Sequence, residues 1–295
     1  MPSSSSTGGT EPWRALRDEE RAVAYSPSSE VSSMADELRR AASASHRVRE
    51  ELPPVEHSYG PGARHRLDLF HPGGEHAVPV LVLVHGGYWQ EESKENACAP
   101  AAQIVAAGAA FIALEYTLAP EASLAEIVEE CRRGLAWILD HAAELGVDPA
   151  RVHLAGSSAG AHLALMMLLG SAAGTDAARA PIRSATLLSG IYDLRPLVGT
   201  YVNDPLGLDE TEAWRLSPQA LIGPSSTSLL VTWAQHDTRE FARQGHEFAT
   251  SWRAAGNRAE EIADIPGRNH FDLPLDLADP ATPLGRAVHA LLRIP

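Results

Sequence analysis

Hydrophobic positions along the chain change period repeatedly, and each change predicts an element. Residues 65–70 alternate polar and apolar side chains, the pattern of a half-buried strand. Residues 78–84, VPVLVLV, form an unbroken apolar, β-branched run, which predicts a strand buried on both faces. Leu124, Ile127, Val128, Cys131, Leu135, Ile138 and Leu139 recur at helical spacing. Further strands are predicted at 110–116, 152–155, 185–189, 229–234 and 262–265. Helices are predicted at 99–107, 161–169, 241–255 and 283–292. Gly108, Gly146 and Gly256 stand where helices should stop. Strands alternating with helices, the strands buried, imply a mostly parallel sheet covered on both sides.

Three stretches depart from this rhythm. Residues 1–12 are rich in Ser, Gly and Thr and are expected to be disordered. Residues 13–52 carry helical patterns and form an N-terminal helical extension to one large domain, 13–295. Between about 191 and 223 the pattern breaks into short proline-marked pieces, a candidate lid between two strands.

Composition narrows the function. The chain has 295 residues, 24 basic against 38 acidic, a net charge of −14. So acidic a surface is repelled by phosphate backbones and anionic lipid, so neither nucleic acid nor a membrane is an expected partner. No apolar run is long enough to cross a bilayer, and the N-terminus lacks the basic and apolar regions of a secretory signal. Two cysteines, Cys98 and Cys131, suit a reducing compartment, and both are expected as small buried hydrophobes. The expected location is cytoplasmic. The thirteen histidines show no metal-ligand spacing, so no metal is expected.

The most specific motif is Gly156-Ser157-Ser158-Ala159-Gly160, a G-x-S-x-G between a predicted strand and a predicted helix. A serine on so tight a turn needs small neighbours, and the helix that follows aims its positive end at the site. Ser158 is the candidate nucleophile. His85-Gly86-Gly87-Tyr88-Trp89 follows the buried strand at 78–84. Backbone N–H groups of Gly86, Gly87 and Ala159 are candidate oxyanion donors. In this arrangement the acid ends a later strand and the histidine follows the last one. Asp237 and His270 occupy those positions, with Glu240 and Asp272 as rival acids. His236 adjoins Asp237 too closely to be held by it, and His246 and His289 fall on helices where surface placement is expected. Tyr88, Trp89 and Phe271 could stack on an aromatic substrate or simply pack the core. Tyr201 and Asn203, in the candidate lid, could supply polar contacts.

With these motifs the chain resembles kynurenine formamidase (arylformamidase) of the α/β-hydrolase type. HGGYW at 85–89, GSSAGAHLA at 156–164, LSGIYDLRPL at 188–197 and GRNHFD at 267–272 carry the resemblance. AYSPSS at 24–29, YGPGARHRLDLF at 59–70 and YVNDPLGLDETEAWRLSP at 201–218 extend it to residues 22–293. It departs at Ser157, where many relatives carry histidine. The resemblance implies an α/β-hydrolase fold and metal-independent, cofactor-free hydrolysis of N-formyl-kynurenine to kynurenine and formate. It implies nucleophile, acid and base at Ser158, Asp237 and His270, with the oxyanion hole at Gly86, Gly87 and Ala159. A carboxylesterase on short acyl esters would carry the same machinery, and a non-catalytic binder of the same fold is a further alternative. The expected partner is a small aryl formamide or ester, with a homodimer left open.

Overall fold

A computed structural model describes residues 11–169 and 182–294. Residues 1–10 of the expected tail lie outside the described residues. Its last two, Glu11 and Pro12, are described: Pro12 opens a short 3-10 turn that buries Trp13, and Glu11 pairs with Arg14 and Arg195.

Among the described residues eight strands form one sheet: β1 Val55–Ser58, β2 Arg66–Phe70, β3 Val78–Val84, β4 Ala110–Leu114, β5 Val147–Ser157, β6 Ser184–Leu188, β7 Ser228–His236 and β8 Ala259–Asn269. Their spatial order is β1-β2-β4-β3-β5-β6-β7-β8. The first two pairings are antiparallel and the remaining five are parallel. Every predicted strand is present. β1 was not foreseen, because its four residues, VEHS, are mostly exposed and carry no alternation.

The helices are α1 Asp18–Ala24, α2 Met34–Glu51, α3 Ala101–Ala106, α4 Leu124–Asp140, α5 Ala159–Leu168, α6 Glu210–Arg215, α7 Arg239–Ala254, α8 Leu273–Asp276 and α9 Pro283–Leu292. Local chemistry sets several of their starts. Ser123 and Glu126 form a reciprocal capping box at the head of α4, and the Thr282 side chain caps α9 ahead of Pro283.

Successive side chains of a strand point to opposite faces, and β3 divides its residues accordingly. Val80, Val82 and Val84 enter the core shared with α4, α5 and α7. Leu81 and Leu83 enter the core shared with α3 and α9. Cys131 belongs to the first core and Cys98 to the second, and both are free thiols. Parallel strands deliver their carboxyl ends to one edge of the sheet, and the loops after β3, β5, β7 and β8 meet there.

Candidate active site

Ser158 sits alone between the end of β5 and the start of α5, with φ 55° and ψ −119°. A side-chain-bearing residue rarely adopts that conformation, and it persists only where the surroundings force it. Here the force is packing of α5 against the sheet. A Cβ on Gly156 would lie 2.1 Å from the Gly160 carbonyl oxygen, and one on Gly160 would lie 2.1 Å from that of Val84. The turn therefore requires both glycines. The Ser158 N–H is anchored to the Leu188 carbonyl at 2.8 Å, tying the turn to β6.

β7 and β8 deliver the next two groups. Asp237 follows β7 and His270 follows β8 directly. His270 Nδ1 lies 3.1 and 3.2 Å from the two carboxylate oxygens of Asp237. The Asp237 side chain is 0% exposed and that of His270 7%. Phe241 meets the imidazole edge-on, with centroids 4.7 Å apart. The rival acids are engaged elsewhere. Glu240 accepts from the Tyr25 hydroxyl at 2.7 Å and pairs with Arg243. Asp272 accepts the Asn269 N–H at 2.8 Å and pairs with Arg40. His246 is a surface residue paired with Glu261. His289, expected at the surface, is instead buried against the Ala278 carbonyl, because its helix face packs on the chain leading into α9.

Gly86 lies against the serine turn: a Cβ there would come 2.9 Å from the Ser157 oxygen and 3.4 Å from Ser158 Cβ. Gly87 takes φ +93°, and Tyr88 and Trp89 follow at φ 49° and 63°. None of the turn and loop backbone hydrogen bonds among the described residues uses the N–H of Gly86, Gly87 or Ala159.

Ser158, His270, Gly86 and Gly87 line one cavity of about 480 Å³. Tyr88, Phe271, Tyr201 and Val202 wall it, and Ser26, Met34 and Leu38 of the N-terminal extension close it above. The Ser158 hydroxyl makes no hydrogen bond among the described residues, to His270 or to any other group. No cluster of His, Cys, Asp or Glu among the described residues is placed to hold a metal ion.

Comparison with known proteins gives the family and the fold. The BD-FAE family model matches residues 67–183. Over 281 residues the chain is 33% identical to the kynurenine formamidase of Danio rerio, covering 90% of this chain and 94% of that one. The chain belongs to the kynurenine formamidase family. The Salmo salar kynurenine formamidase is 33% identical over 231 residues, covering 75% of this chain and 76% of that one. A solved candidate thioesterase from Silicibacter sp. superposes with a TM-score of 0.77 at 29% identity, covering 90% of this chain and 97% of that one. This family member is therefore a serine hydrolase of the α/β-hydrolase fold.

Two expected contact residues lie outside the cavity. Trp89 is 0% exposed. The left-handed backbone at 88 and 89 turns it into the core, where it meets His162 edge-to-face at 5.1 Å. Asn203 braces its own loop, its amide donating to the Leu208 carbonyl at 2.9 Å and accepting the Leu208 N–H at 3.1 Å. The segment expected as a lid is mostly packed wall: Leu194, Leu197, Val202, Leu208 and Leu216 are buried in the main core. Sequence reasoning missed the contribution of α2. Its signal was the spacing of Met34, Leu38 and Ala41, one stripe of a helix, all three lining the cavity.

Proposed function

We propose that Ser158, His270 and Asp237 act as nucleophile, general base and orienting acid in hydrolysis of an aryl formamide, with N-formyl-kynurenine cleaved to kynurenine and formate. The observation that carries this reading is the His270 imidazole held by a buried carboxylate while facing the same cavity as the strained serine, in a chain of this family. Asp237 fixes the tautomer with the proton on Nδ1, leaving Nε2 to accept the Ser158 proton. Oγ attacks the formyl carbon, and the carbonyl oxygen becomes an oxyanion met by the N–H groups of Gly86, Gly87 and Ala159. Each such donor is worth roughly 3 to 4 kcal/mol where it has been measured in other hydrolases. The C–N bond then breaks as His270 returns the proton to the arylamine. Water attacks the formyl ester on Ser158 by the same route and releases formate. The hydroxyl-to-imidazole contact forms as substrate fills the cavity, as it often does in such sites.

The cavity suits a flat leaving group, since Tyr88 and Phe271 present ring surface beside the reacting atoms. The free buried thiols and acidic surface fit a cytoplasmic enzyme acting on a small molecule. No helix among the described residues is long and apolar enough to cross a membrane. The thioesterase-like neighbour favours a second reading, hydrolysis of short acyl esters. Measuring kcat/KM for N-formyl-kynurenine and p-nitrophenyl acetate with wild type and Ser158→Ala separates them. The formamide is expected to be the better substrate, and Ser158→Ala to abolish both activities. A large preference for the ester would remove the formamidase assignment.

A further inference from the structure

The loop that carries Gly86 and Gly87 is held from behind by a buried group of side chains. Glu115, which follows β4, accepts four hydrogen bonds. They come from Arg64 Nη2 at 3.0 Å, the Lys94 N–H at 3.1 Å, the Tyr116 N–H at 3.1 Å and His85 Nε2 at 2.9 Å. Burial alone would raise the pKa of this carboxyl, but His85 and Arg64 hold it below the ordinary value, so it is an anion that only accepts. The other ring nitrogen of His85, Nδ1, lies 3.0 Å from the Gly86 carbonyl oxygen, which also only accepts. An acceptor therefore faces each ring nitrogen, and a proton on each would satisfy both. The ring also lies flat on Tyr116, with centroids 4.2 Å apart and planes 12° apart, so Tyr116 fixes its plane.

Tyr116 completes the arrangement. Burial raises its phenol pKa well above the ordinary value, so the hydroxyl keeps its proton. That hydroxyl lies 3.1 Å from the His85 carbonyl oxygen and 3.1 Å from that of Gly86. A trans peptide points its C=O and the following N–H in opposite directions. Holding the carbonyls of 85 and 86 on one side therefore aims the N–H groups of 86 and 87 to the other.

We propose that His85, kept as an imidazolium by Glu115, and Tyr116 are positioning residues that clamp the back of the oxyanion loop. The inference rests on the reading of Gly86 and Gly87 as oxyanion donors. The fixed positive charge also adds to the field at the developing anion.

Tyr116→Phe removes one hydroxyl and keeps the ring. It is expected to lower kcat about 10-fold or more, with KM within two-fold and thermal unfolding little changed. A smaller fall, or a fall carried by KM alone, overturns the role of Tyr116. The protonation claim is tested without a variant, by nitrogen-15 spectra of histidine-labelled wild type at neutral pH, with His85→Asn used only for assignment. The expected result is a His85 ring with both nitrogens protonated, and a neutral ring overturns the claim. Wild-type turnover of the formamide and its loss in Ser158→Ala stand as a separate check. An active wild type with a neutral His85 ring and an unimpaired Tyr116→Phe discards the clamp and leaves the formamidase reading intact.

Discussion

The floor and the roof of the cavity are built by opposite means. The floor is made where strands end, from short motifs whose backbone is forced. Ser158 is strained, and Gly156 and Gly160 have no room for a Cβ. The roof is assembled from segments far apart in the chain, 25–41 and 201–202, which meet each other and the glycine loop through side-chain hydrogen bonds. Ser26 meets Tyr201 hydroxyl to hydroxyl at 3.1 Å, and the Tyr88 hydroxyl donates to the Tyr25 carbonyl. Chemistry needs atoms fixed to fractions of an ångström, whereas selecting a substrate needs only a wall of suitable shape. The comparison teaches that changes in the floor should cost turnover or folding, and changes in the roof should cost recognition.

Asp237→Asn should produce the largest effect, a fall in kcat of about 10⁴-fold with the fold intact, because the amide favours the wrong tautomer of His270. A loss below ten-fold in steady-state kinetics would break the distinction at its strongest point. Gly160→Ala comes next. The added methyl meets the Val84 backbone, which cannot swing aside, so unfolding in urea should show a loss of about 3 kcal/mol or more.

The fold as a whole should also weaken in acid, because His153 of β5 and His162 of α5 are both buried. Burial pushes the pKa values of His153 and His162 down to about 4, so both stay neutral in the folded chain. In the unfolded chain they take up protons below about 6.5. Between about 6.5 and 4 the unfolded state binds more protons, so stability falls as pH falls through that window. Each histidine contributes a loss on the order of 3 kcal/mol once pH is below 4. Urea midpoints measured across the window check this, and a flat profile would mean that the two rings are not held neutral.

The smallest effect is expected in the roof. Tyr201 is 54% exposed, and Tyr201→Phe removes only its bond to Ser26. KM should rise about five-fold, equivalent to about 1 kcal/mol, with kcat unchanged. A fall in kcat with constant KM would make Tyr201 part of the chemistry and blur the contrast.

The same contrast explains what the sequence could reveal. The serine turn was legible because only small residues fit it, and strict geometric demands leave short, specific patterns. That Asp237 and His270 would meet was legible because chain order and strand ends limit the choices, although Glu240 and Asp272 were separable only by their partners in space. For Trp89 the choice between stacking and core packing stayed open because an aromatic beside the glycine loop has no mark of direction, and the left-handed backbone that buries it is invisible in residue types. Asn203 was misread because its partner is its own loop. The roof stayed hidden because Met34, Leu38 and Ala41 are ordinary helix residues whose stripe names no neighbour. β1 stayed hidden because an exposed edge strand needs no hydrophobic pattern.

The central claim is covalent catalysis by Ser158, and its most direct test is peptide mass spectrometry of enzyme acid-quenched during turnover of N-formyl-kynurenine. A formyl group mapped to Ser158, absent from the Ser158→Ala protein, is the predicted result. Sustained turnover with no adduct at that residue, or with the group on another side chain, would contradict the account.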